Sequence, residues 1–447
     1  MLPVVPFCER REKLERLFGR SALFGDRIDE AVRRIVEEVR SRGDAAVLDY
    51  TERFDGVRSA SLRVDVARLA EAHARLDDAL RGILVEAADN IRRFHEKQLR
   101  ASWFDTEEDG AGLGQRYVPI ERAGVYVPGG TAAYPSSVLM NVIPAQVAGV
   151  EHLYLASPPG PDGLPHPLVL AAAHVLGVDH VFAAGGAQAI AMFAFGTETV
   201  PRVDKITGPG NAYVATAKKQ VYGMVDIDSV AGPSEIVVLA DSEADPRFAA
   251  ADLLAQAEHD PRASAVLVTP DAELAEAVRG HAAAMTATLP RRAIVEASLT
   301  DYGACIVTDT LDQAVEAVNE LAPEHLELLV RDPEALLPRI RHAGAVFMGP
   351  FSPEPVGDYF AGPNHVLPTG GTARYASALG VEDFLRRQSV IAWTEARLAR
   401  TGARIAAFAR AEGLEAHARA VEARLTGDIS THSASNRQED EQADPHG

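Results

Sequence analysis

The chain has 447 residues, 47% hydrophobic and 24% charged, ordinary globular values that allow a core to form without disulfide or metal staples. Its length exceeds one ordinary core, so two or more domains are expected. A formal net charge of −20, from 64 acidic against 44 basic side chains, repels nucleic acid and anionic membrane and points to a small-molecule partner.

Met1 to Arg20 mixes apolar and charged residues and lacks the uncharged core of a signal peptide. No stretch of about 18 apolar residues, the length of a membrane span, occurs anywhere. Cys8 and Cys305 are far apart and without a C-x-x-C partner, which supports neither a disulfide framework nor a thiolate zinc site and fits the cytoplasm. Ile28, Val32, Ile35, Val36 and Val39 recur at helical spacing, with Gly43 where a helix C-terminus prefers glycine. A second helical pattern runs from about Leu76 to Phe94, with Leu80, Ile83, Leu84, Ala87 and Ile91 on one face.

From about Glu121 to Glu235 the pattern changes to short apolar runs closed by glycine or proline: Val125 to Val127, Leu153 to Leu155, His180 to Phe182, and Lys205-Ile206 before Gly208-Pro209-Gly210. A second series follows at 236–239, 265–268, 304–307 and 345–348, separated by helical stretches at 246–258, 271–285 and 310–321. Strands alternating with helices predict mainly parallel sheets. The expected class is α/β, with two α/β domains and helical sequence toward the ends. The expected boundaries are a helical segment over 1–25, one discontinuous domain over 26–120 and 236–380, and a second inserted at 121–235. After about Gly380 strand signals disappear, and 381–429 reads as helical because it is rich in Ala, Arg, Leu and Glu. The polar stretch 430–447 reads as a disordered tail.

Candidate chemistry falls in several places. In Pro323-Glu324-His325 a carboxylate and an imidazole stand side by side, a couple suited to successive proton transfers, although such a pair is also the ordinary content of a solvated loop. Gln256 and His259 lie three apart near a helix end and share a face that can offer two metal ligands; a surface helix end has the same spacing. The stretch Gly349 to Gly371 has no helix or strand periodicity and reads as a long loop, often a functional one, in which Asp358 or His365 could be a ligand or Asp358 only a backbone cap. Glycines at 129–130, 185–186 and 208–210 follow predicted strands, where backbone can approach a phosphate, but none forms G-x-G-x-x-G. Glu412 and His417 flank a glycine in helix-forming sequence, where a Glu and a His are ordinarily solvent-facing. Singly, none of these features fixes a function.

Together they resemble one family. The blocks Gly124 to Gly129 with Gly130, Gly185 to Ala191, Ile206 to Val214, Asp228 to Glu235, Gln256 to Asp260, Pro323 to Leu326, Gly357 to Tyr359, Gly362 to Thr369 and Glu412 to His417, spread from about residue 10 to about 428, resemble the histidinol dehydrogenase family. The resemblance implies a homodimer, each subunit of two incomplete Rossmann-like domains with mainly parallel sheets plus small helical N- and C-terminal segments, that binds one zinc per subunit and uses two NAD in turn to oxidise L-histidinol through the aldehyde to L-histidine. It implies zinc ligands Gln256, His259, Asp358 and His417, the last supplied by the partner subunit, which accounts for an otherwise unusual glutamine. It further implies His325 as general base, Glu324 as activator of water, Ser234 and Glu412 as substrate contacts, and Tyr126, Gln188 and Asn211 at the cofactor. Gln256, His259, His325, Asp358 and His417 would contact substrate as well. An enzyme of this scaffold acting on another small alcohol, or a non-catalytic α/β binding protein, are the competing readings.

Overall fold

A computed structural model describes residues 2–19, 25–129 and 133–426; the expected polar tail lies outside them. In chain order its strands are β1 (Val4–Pro6), β2 (Trp103–Thr106), β3 (Gly112–Pro119), β4 (Arg122–Tyr126), β5 (His152–Ser157), β6 (His180–Ala183) and β7 (Lys205–Thr207). They continue as β8 (Asp226–Ile227), β9 (Glu235–Ala240), β10 (Ser264–Thr269), β11 (Ala304–Val307), β12 (His325–Leu329), β13 (Ala345–Met348) and β14 (Leu385–Ala392). By internal contacts the chain forms two units, one of residues 1–99 with 119–385, the other of 100–118 with 386–447.

The larger unit holds two parallel sheets, as the alternation of apolar runs and helices predicts. One has the order β6-β5-β4-β7-β8 and the other β1-β11-β10-β9-β12-β13. Apart from the added edge strand β1, each runs third, second, first, fourth, fifth, the order of a Rossmann half, with its crevice where the order reverses. Those switch points fall between β4 and β7 and between β9 and β12.

Strands buried on both faces read as near-continuous apolar runs, and β9 (EIVVLA) and β10 (SAVLVT) are buried along their whole length. On the first sheet, helices Asp26–Arg42, Gly186–Phe195 and Ala212–Val221 close one core through Val32, Val36, Val39, Ile190 and Val214. Helices Asp78–Glu96, Pro135–Ala148 and Pro167–Val175 close the opposite face through Leu84, Ile91, Val138, Ile143 and Leu170. The second sheet is covered by Pro246–Ala257 and Ala272–Thr286 on one side and Leu311–Leu321 on the other. No helix among the described residues is long and apolar enough to cross a membrane.

The smaller unit is a three-stranded sheet of order β14-β3-β2 with the helix pair Glu395–Ala411 and Glu415–Thr426. Its β14 overturns the expectation that strands end near Gly380. Seven of its eight residues are exposed, so it lacks the in-and-out alternation by which a half-buried strand is recognised. The turn after β2 is tied to the first helix by Arg397, whose Nε donates to Asp109 at 2.6 Å.

Candidate active site

Glu324 and His325 owe their position to a sharp turn. Helix Leu311–Leu321 ends at Ala322, whose φ of 46° puts it in the left-handed region, the sole non-glycine residue with positive φ among those described. That conformation costs roughly 1–2 kcal/mol, and the following proline prevents the helix from continuing. The chain therefore turns directly into β12, paired with β9 on one side and β13 on the other. Glu324 and His325 are thus buried at the amino end of a central strand, 6% and 4% exposed, and not in a solvated loop.

The imidazole has a defined tautomer. His325 Nδ1 lies 2.9 Å from the backbone carbonyl of Glu235, which can only accept, so Nδ1 carries the proton and Nε2 the lone pair. Nε2 is buried without a hydrogen-bond partner. Burial holds the His325 pKa below the ordinary histidine value, against the opposing pull of the Asp358 charge and the Glu235 carbonyl; the ring is a neutral base at pH 7. On the Nδ1 side, Glu324 Oε2 stands 3.7 Å away and accepts the Glu235 N–H at 2.8 Å.

Gln256, His259 and Asp358 meet these two residues in one cleft of about 500 Å³, with Ser234, Glu354 and His365 also in its wall. Gln256 ends helix Pro246–Ala257 fully buried, and neither its Oε1 nor its Nε2 has a partner, a costly state for a buried amide. Ligand atoms of His259, Glu354 and Asp358 lie within 4.8 Å of one another. Glu354 was not singled out from the sequence. It and Asp358 lie on the short helix Glu354–Tyr359, entered through a proline, inside the stretch expected to be loop. Their spacing of four puts both carboxylates on one face. Glu354 is 2% exposed, its Oε1 unpartnered and 4.0 Å from His325 Nε2. Burial, then the charge of Asp358, pushes its carboxyl well above the ordinary range.

A second cavity, of about 990 Å³, shares Pro128, Gly129 and Asn211 with this cleft. Tyr126, Gln188 and Asn211 all line it. The Tyr126 hydroxyl accepts the Gly186 N–H at 3.2 Å, and Gln188, 1% exposed, keeps Oε1 unpartnered. Asn211 caps its helix by accepting from Tyr213 and Val214 N–H, the structural role that a glycine-turn asparagine often has. Glu412 and His417 belong to the smaller unit, both exposed at the turn of the helix pair.

The two sheets present opposite ends to these cavities. Pro128, Gly129 and Gly210 follow the carboxyl ends of β4 and β7, where a ligand is expected at a switch point. Ser234, Glu324 and His325 stand at the amino ends of β9 and β12, where that rule predicts nothing.

A two-sheet α/β chain with a neutral, buried imidazole base, a cluster of oxygen and nitrogen ligands and an adjoining cavity of nucleotide size has the makings of an oxidoreductase for a small polar substrate. Comparison with known proteins gives that class a family. Residues 19–425 match the family model described as histidinol dehydrogenase. The histidinol dehydrogenase of Geobacillus kaustophilus is 60% identical over 395 residues, 88% of this chain and 93% of that one. That of Chlorobaculum tepidum is 53% identical over 425 residues, 95% of this chain and 99% of that one. A crystal structure of histidinol dehydrogenase from Elizabethkingia anophelis superposes with a TM-score of 0.90 at 35% identity, over 95% of this chain and 98% of the other. The chain belongs to the histidinol dehydrogenase family and is an oxidoreductase.

Proposed function

We propose that this chain carries out the zinc-dependent, four-electron oxidation of L-histidinol to L-histidine with two NAD, the last steps of histidine biosynthesis, in the cytoplasm. The observation that carries the reading is the meeting of His325 Nε2, buried and without a partner, with Gln256, His259 and Asp358 in one cleft.

The residues fit both a zinc ion and a dinucleotide. The orphaned Gln256 amide beside His259 and Asp358 is a nitrogen and oxygen donor set of the kind zinc accepts, and it accounts for a buried amide with no protein partner. The larger cavity, with helix N-termini at Gly186 and Ala212 and an unpartnered Gln188 oxygen, suits a dinucleotide. When bound, NAD would take up hydride and zinc would hold the substrate's nitrogen atoms.

The protein's own residues supply the proton traffic. His325 Nε2 takes the alcohol proton as hydride leaves carbon. Glu324 draws a proton from the water that adds to the aldehyde, while His325 returns its proton to the aldehyde oxygen and is a free base again. The hydrate then gives up a second hydride and passes a hydroxyl proton to His325, and the acid so formed ionises to the carboxylate. Ser234, in the wall of the same cleft, contacts substrate. Because the aldehyde is held between steps, both oxidations use one base in one place.

His417 and Glu412 would come from a second copy of the chain, in a homodimer with shared active sites. Supporting this, the smaller unit leaves large apolar side chains exposed: Trp103, Phe104, Leu113, Ile391, Trp393 and Phe408, the last 70% exposed. Apolar surface on this scale marks a site of association.

The test is to count NADH formed per L-histidinol consumed by the zinc-loaded protein. About two is expected for a double oxidation. One would mean release of the aldehyde, and none, with activity on other alcohols, would overturn the substrate.

A further inference from the structure

The larger cavity carries a carboxylate that no step above uses. Asp55 ends the helix Asp44–Asp55 and lines the cavity beside Tyr126 and Gln188. Its Oδ2 is buried and has no hydrogen-bond partner. Its charge is felt at the Tyr126 hydroxyl, whose pKa burial, chiefly, pushes up to about 12. A desolvated carboxylate oxygen without a donor is an expensive group to keep. Protein donors do not reach it, so the missing donors belong to a ligand.

The rest of the lining says which part of a ligand. Gly186, Ala187 and Gln188 begin one helix and Asn211 caps another, and both helix starts line the cavity. Their N–H groups suit a pyrophosphate. The end shared with the cleft, at Pro128, Gly129 and Asn211, must take the reacting ring. The remaining polar elements of a dinucleotide are its ribose hydroxyls, which are donors, and an acidic side chain is the group that binds a ribose diol in dinucleotide folds. Asp162 adds a second carboxylate, and no lysine or arginine is among the described residues of the lining. Arg53 holds its guanidinium over the Phe54 ring, 5.4 Å from the centroid.

We propose that Asp55 is a specificity-determining residue: it accepts from the free hydroxyls of a ribose and thereby selects NAD against NADP, whose extra ribose phosphate it repels. The inference rests on the reading of this cavity as the NAD site.

The experiment is a fluorescence titration of the full-length, zinc-loaded protein with NADH and with NADPH, paired with kcat/KM for NAD and for NADP, on the wild type, Asp55→Asn and Asp55→Glu. The wild type should favour the unphosphorylated dinucleotide by about 100-fold, the scale of an unpaired like-charge contact. Asp55→Asn should shrink that ratio at least about tenfold, by weakening NADH and strengthening NADPH together, while Asp55→Glu, which keeps the charge, should hold it near the wild-type value. If the wild type binds neither dinucleotide, the cavity reading fails first and takes the inference with it. If it binds NADH and NADPH alike, the selection by Asp55 is wrong while the cavity reading stands; this arm needs no variant to fold. A ratio unchanged in a folded Asp55→Asn also overturns the role of Asp55.

Discussion

Below the cleft, Glu327 is 1% exposed on β12, and its Oε1 accepts the Glu354 N–H at 2.8 Å. Burial, then the charge of Asp252, pushes its carboxyl far above the ordinary range. The folded chain therefore keeps a proton there that the unfolded chain releases near pH 4. The sign follows from linkage: the contribution is complete below the unfolded pKa and is lost as pH rises toward the folded one, by up to about 1.4 kcal/mol per pH unit. In urea melts of metal-free protein at pH 5.5 and 8.5, wild type should lose stability on going up, and Glu327→Gln should lose distinctly less. Equal losses would mean that Glu327 is already ionised at the lower pH. At this scale the sequence is legible where chemistry is local. Glu324 beside His325, and Gln256 three before His259, can be read from spacing, and each pair does meet in the cleft. Glu354, Glu327 and Asp252 cannot, because nothing in a run such as His-Leu-Glu-Leu-Leu says that its acid will be buried under another acid.

Among the elements, the turn after β7 is the most constrained. Gly208 has φ +115°, and a Cβ there would lie 1.9 Å from the Tyr126 carbonyl oxygen. Around it, the Asp228 carboxylate accepts the Gly208 N–H at 2.8 Å, the Lys218 ammonium donates to the Gly208 carbonyl at 3.0 Å, and Lys218 and Asp228 are paired in the interior. The turn that meets both cavities is thus fixed from both sides. Gly208→Ala should cost roughly 3 kcal/mol or more, since both the backbone conformation and the contact oppose it. Calorimetry should show a fall in Tm, and an unchanged Tm would mean that β4 and β7 part easily. Strands β4 to β7, β9 to β11 and β13 are legible as apolar runs closed by glycine or polar turns. β12 is not, since the polar pair Glu324-His325 that leads into it makes it look like loop, and β14 is not, since it is exposed along nearly its whole length. The helix over Glu354–Tyr359 is hidden by its two prolines, which read as a loop although one of them opens the helix.

For the whole molecule, the exposed apolar residues of the smaller unit are the feature that the folded chain leaves unresolved. If a second copy covers them, the double variant Ile391→Glu, Phe408→Glu should move the protein from dimer to monomer in sedimentation velocity, because burying two carboxylates unpaired costs several kcal/mol. A wild type that sediments as a monomer would remove the shared active site from the proposal. The presence of two parallel sheets follows from sequence because each is written as its own series of apolar runs. The use of opposite strand ends does not, because it depends on how the series are joined, which no local pattern encodes. The six-stranded sheet has a further consequence, for synthesis. Its edge strand β1 pairs Val4 with Cys305, whereas the five-stranded sheet is contiguous from Arg122 to Ile227. On a ribosome adding about 5–20 residues per second, β1 waits roughly 15–60 seconds for its neighbour, while the sheet proposed to hold the dinucleotide can close. The nascent protein would thus complete the half proposed to bind the cofactor before it has the proposed base, and its unpaired first strand, three residues ending in proline, is short enough to wait without offering an edge for aggregation.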